Sequence, residues 1–175
     1  MIEIQFQRGV PSGLDGKKKG ALEIISELNR LGAGYGIGRM DMVENRLVGI
    51  KSRETYEAPA ATLLLEAHKD LESLVLDREL LHFKEFIAQK YAELVYYGLW
   101  FTPLKKALDA FVESTQKKVT GTVRVKLRKF SSQVVGRSSP HSLYKETLAT
   151  YGQKDKFDQR LAKGFIDLWA LPYKK

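Results

Sequence analysis

The chain has 175 residues and a mass of 19.9 kDa, the length of one domain, and its 43% hydrophobic and 29% charged residues form an ordinary globular balance. No apolar run approaches the roughly 20 residues of a membrane span, MIEIQFQRG lacks the layout of an export signal, and the absence of cysteine excludes disulfides, thiolate metal ligands and cysteine nucleophiles. The net charge of +8 is uneven: residues 1–100 carry 13 basic and 15 acidic side chains, whereas residues 101–175 carry 16 and 6. A basic second part suits a polyanion or an acidic partner surface; no nucleic-acid-binding motif accompanies it, so nucleic acid is not the expected partner. A cytoplasmic location is expected.

In chain order, Ile2, Ile4 and Phe6 alternate with polar residues as in a half-buried strand. Pro11, Gly13, Asp15 and Gly16 read as a turn. Leu22, Ile25, Leu28 and Leu31 recur at helical spacing, with Gly32 and Gly34 closing the helix. Met42 to Lys51 reads as one extended stretch. Pro59 suits the first turn of a helix, and helical pattern continues to about Tyr97, with a break near Asp77 or Gln89. Thr102–Pro103 starts another helix carrying Leu104, Leu108, Phe111 and Val112. Val119 to Phe130 places Val123, Val125 and Leu127 on one face of a strand and Arg124, Lys126 and Arg128 on the other, with Gln133 to Arg137 returning as a hairpin. Leu143 to Thr150 reads as a short helix, and Asp158 to Trp169 is ambiguous. Strands at both ends around a long helical middle predict an α+β fold, a single domain over residues 1–175.

Few residues suggest chemistry by spacing alone. The glycines Gly32, Gly34, Gly36 and Gly38 follow a helix and precede a strand, the reverse of a dinucleotide fingerprint, and read as turn residues. His68 and His82 stand fourteen apart with no metal-binding motif around them, so no metal site is expected. Tyr91, Tyr96, Tyr97, Trp100 and Phe101 form an aromatic group that reads as core packing or an oligomer interface. The segment Gly38 to Thr62 differs in character, crowding Arg39, Asp41, Glu44, Asn45, Arg46, Lys51, Arg53, Glu54, Tyr56 and Glu57 between apolar positions.

That segment, GRMDMVENRLVGIKSR followed by TYEAPAAT, resembles the VENR and KSRGxYE region of argininosuccinate synthases. LDRELLHFKEFIAQKYAELVYYGLWFTPLKKALDAF, VTGTVRVKL and VVGRSSPHSLYKETLATY resemble later parts of the same family, and GVPSGLDGK resembles its entry to this half. The likeness covers nearly the whole chain. It implies the C-terminal half of an enzyme that joins citrulline and aspartate at the expense of ATP, in arginine biosynthesis. The SGGxD[ST] loop that grips ATP in the family is absent, so no cofactor is expected on this chain alone. ATP with Mg²⁺ would be held by the N-terminal ATP-binding half, which becomes the expected partner.

The resemblance places the citrulline contacts on Glu44 of VENR and Tyr56 of the following YE, as positioning groups with no catalytic residue in this half. Arg46, Lys51, Ser52 and Arg53 are supporting candidates. It further implies a homo-oligomer, a tetramer in the family, whose usual C-terminal tail runs on beyond Leu171–Pro172. The chain departs from the family pattern at Glu54, where glycine is usual, and at Ala60–Ala61, in place of a commoner glycine pair. The isolated chain is expected to be inactive. The competing expectations are a non-catalytic assembly module and a basic nucleic-acid-binding module.

Overall fold

The computed structural model describes residues 1–146, 148, 158 and 160–174. Its elements run β1 (Ile2–Gln7), β2 (Val10–Leu14), β3 (Lys17–Lys18), α1 (Ala21–Gly34), β4 (Arg39–Asn45), β5 (Lys51–Glu57), α2 (Pro59–Val75), α3 (Arg78–Tyr96), α4 (Pro103–Gln116), β6 (Gly121–Arg128), β7 (Ser131–Ser138) and α5 (Arg160–Trp169). Helices and two antiparallel sheets make it α+β, as the pattern of elements suggests. The chain forms two compact units, Met1–Leu143 and Tyr144–Lys175.

In the first unit, five strands lie in the order β3-β2-β1-β6-β7, every pair antiparallel. Alternation sets the two faces of the central strands. Ile2, Ile4, Phe6, Val123, Val125 and Leu127 turn inward and meet Ile24 and Leu28 of α1 and Leu63, Ala67 and Leu71 of α2 in one apolar core. Arg124, Lys126 and Arg128 take the opposite, exposed face, which is where much of the basic excess goes. The turns between these strands are tight. Arg8–Gly9 and Asp15–Gly16 all have positive φ, the geometry that lets a two-residue turn follow strand twist.

Several boundaries differ from the sequence expectation. Pro11 and Gly13 belong to strand β2 rather than to a turn, because the two turns fall on either side of them. The buried stripe of α1 is Ile24, Leu28 and Gly32, while Leu22 is 78% exposed and Ile25 42%, so the apolar face is rotated from the one that the leucines suggest. The helical break falls at Leu76, whose backbone is extended, and Asp77 caps α3 by accepting from the Leu80 N–H at 3.0 Å. Leu143 to Glu146 and Leu148 are not helical. The Leu143 N–H is committed to the Leu74 carbonyl at 2.9 Å. Residues 147, 149 and 150 of that expected helix lie outside the described residues.

Helices α2, α3 and α4 are tied by a buried acid. Glu72, 5% exposed, accepts from Gln116 Nε2 at 2.6 Å and lies 3.0 Å from Lys84 Nζ. His68 completes the cluster, bonded to Gln116 Oε1 at 2.8 Å and stacked obliquely on Phe6. A charge buried among these partners ties the helices together, because losing Lys84 would leave it uncompensated and losing Gln116 would remove a hydrogen bond. Between α3 and α4, Phe83 meets Phe111 edge to face, and Tyr91 donates to Asp109, which also pairs with Lys105.

The sharpest departure is the segment read as one strand from Met42 to Lys51. It is the middle of a hairpin: β4 and β5 pair from Arg39↔Glu57 to Asn45↔Lys51, with the turn over residues 46–50. The Arg46 N–H donates to the Ile50 carbonyl at 2.8 Å, and Gly49, with φ +84°, provides the reversal. The base is closed where Ala58 N–H donates to the Gly38 carbonyl at 2.9 Å. Gly38 has φ +83°, and a Cβ there would stand 2.6 Å from the Pro59 nitrogen. Only glycine allows α1, the hairpin and the start of α2 to meet so closely. The hairpin thus projects from the sheet-and-helix body on a rigid base.

Within the second unit, α5 carries Phe165 and Trp169 stacked at 5.6 Å, with Lys163 and Lys174 both reaching Asp167. Leu161, Phe165, Ile166, Leu168 and Trp169 are all exposed. No helix among the described residues is long and apolar enough to cross a membrane.

Candidate functional site

Strand alternation sorts the polar residues of the hairpin into two sets. Met40, Met42 and Glu44 of β4 pair with Tyr56, Glu54 and Ser52 of β5 and share one face. Asp41, Asn45, Lys51 and Arg53 share the other. On the first face, the Tyr56 hydroxyl donates to Glu44 Oε2 at 3.0 Å, passing diagonally over the Met42–Glu54 pair. Arg46, at the start of the turn, sits between two carboxylates: its Nη2 is 3.1 Å from Glu54 Oε1 and its Nη1 is 3.5 Å from Glu44 Oε1. Ser52 Oγ is buried directly across from Glu44 and has no hydrogen-bond partner among the described residues.

Of the six residues singled out from the sequence, Glu44, Tyr56, Arg46 and Ser52 therefore converge. Lys51 and Arg53 do not; they face the other way, where Lys51 donates to Asn45 Oδ1 at 2.6 Å and Arg53 grips Asp41 in a two-pronged pair at 2.9 and 2.5 Å. Two contributors were not picked out as site residues. Glu54 supplies the second carboxylate, and Tyr96 of α3 donates to the Asn45 carbonyl at 3.2 Å. The signal for Glu54 was its place two residues before Tyr56, which on a strand means the same face.

The aromatic group is not part of the core. Tyr96, Tyr97, Trp100 and Phe101 are 40–87% exposed, because they sit at the α3–α4 connection beyond the last buried turn.

Electrostatics follow this geometry. The Tyr56 phenol is pushed above its ordinary value, first by the hydrogen bond that it donates to Glu44 and then by burial. It therefore stays a donor at neutral pH. The Arg46 guanidinium is raised first by the charge of Glu54 and then by a hydrogen bond with Tyr96.

On the far face, the hydrogen bonds from Arg53 hold Asp41 below the usual carboxylate value. A depressed carboxylate stabilises the fold above its unfolded value, near ~3.9, and that contribution is lost as pH falls through the lower folded value. Acidification from neutral to about pH 2 should therefore loosen the β4–β5 pairing, read as a larger fall in amide protection in the parent hairpin than in Asp41→Asn over the same shift. Equal acid sensitivity in both proteins would show that the pair does not hold the hairpin.

The arrangement sets two carboxylates and a hydroxyl donor on one hairpin face, suited to a ligand that carries an ammonium group beside hydrogen-bonding atoms. Among the described residues, no three His, Asp or Glu side chains gather to hold a metal ion. The glycine cluster forms no phosphate cradle: Gly32 packs on Pro59, Gly36 on the Phe130 ring and Gly38 on the Ala58–Pro59 backbone.

A family model described as the arginosuccinate synthase C-terminal domain matches residues 1–175. The chain belongs to the argininosuccinate synthase family. Similar relatives named argininosuccinate synthase include that of Rubrobacter xylanophilus, 56% identical over 174 residues, covering 99% of this chain and 42% of the relative. Those of Acaryochloris marina and Chlorobium luteolum are likewise 56% identical, over 98% and 99% of this chain and 43% and 44% of the relatives. The chain thus corresponds to the C-terminal part of argininosuccinate synthase, and it spans about two-fifths of the length of these relatives.

Proposed function

We propose that this chain is the citrulline-positioning and subunit-assembling part of an ATP-dependent ligase that makes argininosuccinate. The observation that carries the reading is the Glu44–Tyr56 pair, two residues twelve apart in sequence whose side chains meet on one face of a hairpin. Glu44 retains acceptor capacity for the substrate's ammonium group, and Tyr56 fixes the carboxylate's orientation. In the reaction, the ureido oxygen of citrulline attacks the α-phosphorus of ATP and pyrophosphate leaves. The amine of aspartate then attacks the ureido carbon and AMP leaves. The contribution of this chain is to hold citrulline still for both attacks, a gain of proximity and orientation.

ATP and Mg²⁺ are assigned to a separate ATP-binding half, because the family's SGGxD[ST] loop is absent from these 175 residues. Subunit assembly is supported by apolar side chains left bare on α3, on its connection to α4 and at the start of α4, among them Phe86, Trp100, Phe101 and Leu104. The enzyme is proposed to be a cytoplasmic homo-oligomer.

The test is pyrophosphate release dependent on both citrulline and aspartate, with this chain alone and combined with an ATP-binding half of the family. Activity in the mixture alone is the expected result. Silence in a mixture whose two halves demonstrably associate would replace this reading with that of an assembly module.

A further inference from the structure

The Glu44–Tyr56 face holds one guanidinium between two carboxylates, and the three distances are unequal. Arg46 lies 3.1 Å from Glu54 in hydrogen-bonding geometry, but 3.5 Å from Glu44 Oε1 and outside it. Glu44 Oε2 is already engaged by Tyr56 at 3.0 Å. The outer oxygen, Oε1, is therefore shared with nothing closer than a displaced guanidinium. We propose that Glu54 is a positioning residue: it draws Arg46 away from Glu44 and so keeps Glu44 Oε1 open to the ammonium group of the amino-acid substrate. The proposal rests on the reading of Glu44 as the citrulline contact.

The alternative arrangement is close by. A guanidinium prefers to meet a carboxylate through two parallel N–H groups. Arg46 needs to move by only a few tenths of an ångström, plus a side-chain rotation, to close on Glu44 in that way. Glu54 competes for the same fork. Glu44 is the least exposed of the three, at 18% against 36% for Glu54 and 45% for Arg46, so a pair closed on Glu44 would be the least screened by solvent.

The charge count points the same way. Glu44, Glu54 and Arg46 together leave the face with one negative charge, matched to a single ammonium. Without Glu54 the face is neutral, and the substrate must displace an internal cation before it can bind.

The experiment uses the complete enzyme, this chain together with its ATP-binding half, with citrulline as the varied substrate. Glu54→Gln should raise the citrulline KM by roughly five- to tenfold, with the effect on KM rather than kcat. Glu54→Asp should recover most of the loss. The decisive arm is Arg46→Gln combined with Glu54→Gln: with the competing cation gone, the KM should return to within about twofold of the parent, a rescue that a structural role for Glu54 would not produce.

A KM in Glu54→Gln equal to that of the parent would overturn the proposal, as would a double variant no better than the single one. Glu44→Ala separates the two layers. A parental KM in Glu44→Ala removes the citrulline reading itself, whereas an impaired Glu44→Ala beside a parental Glu54→Gln removes only the role of Glu54. A crystal structure of the Glu54→Gln chain gives a readout free of turnover. Arg46 should sit in a two-pronged contact with Glu44, near ~2.9 Å, and an unmoved Arg46 counts against the proposal.

Discussion

Glu44→Ala is expected to reduce kcat/KM for citrulline by roughly 10- to 10²-fold in the complete enzyme, while the KM for aspartate changes far less. The magnitude follows from the loss of a hydrogen bond to a charged partner, about 1.5–3 kcal/mol, with every 1.4 kcal/mol worth a factor of ten. Because Glu44 also accepts from Tyr56, its removal leaves that phenol without the acceptor that fixes it. Tyr56→Phe should then cost less, about fivefold, since it deletes one hydroxyl and leaves the carboxylate in place. Steady-state kinetics with each substrate varied in turn would check both. Equal losses for citrulline and aspartate would indicate a general disturbance of the hairpin, and no loss at all would remove Glu44 from the site.

The largest effect on stability is expected at Leu71. Its side chain is fully buried in α2, and its Cδ1 would stand only 3.0 Å from a Cβ at Gly121, so the helix lies directly on strand β6. Leu71→Ala removes apolar contact and leaves a cavity between two elements that are each fixed by other partners, and collapse around it is restricted. A loss of about 3–5 kcal/mol is expected, a large share of the stability of a domain this size. Leu65→Ala, on the same helix but 69% exposed, should change stability by less than about 0.5 kcal/mol. Urea unfolding of both variants provides the comparison, and a Leu71 variant with a midpoint like that of Leu65→Ala would contradict the packing described.

What could be read from the sequence depended on whether a face was buried. β1 and β6 alternate cleanly because their inner residues, Ile4 and Val123 among them, are wholly enclosed. The starts of α2 and α4 were legible because Pro59 and Thr102–Pro103 act locally, through φ and through capping, whereas the break before α3 stayed open between Asp77 and Gln89.

The hairpin β4–β5 gives no such alternation. It has no fully buried residue, and both of its faces are polar. Its reversal rests on residues 46–50 rather than on a short turn motif, so it read as one strand. β2 was obscured for another reason: Pro11 and Gly13 are turn residues by composition. Yet a Cβ at Gly13 would stand 2.2 Å from the Gln5 side chain and 2.6 Å from the Lys17 carbonyl, so here the glycine answers crowding between strands.

Glu44 and Tyr56 were singled out through family resemblance, and that they meet became visible only in the structure. Twelve residues of separation carry no geometric meaning until the turn between them is placed. Glu54 stood out as a departure from the family pattern, but that it shares Arg46 with Glu44 became visible only once the strands were in register.

The middle of the large sheet joins distant parts of the chain, with Ile2 opposite Val125 and Ile4 opposite Val123. On a ribosome, β1 is made before β6 and waits, with one edge unpaired, until β6 emerges. Four helices and the β4–β5 hairpin are synthesised in the interval. Contacts of such long separation slow folding, because the entropy of closing the loop is lost before the sheet can compensate. In that interval β1 finds a strand partner only in β2, and the edge that β6 takes later stays open to other chains. β1 is thus secured only long after it is made, and a chain interrupted before Val125 would expose a half-finished sheet prone to aggregation.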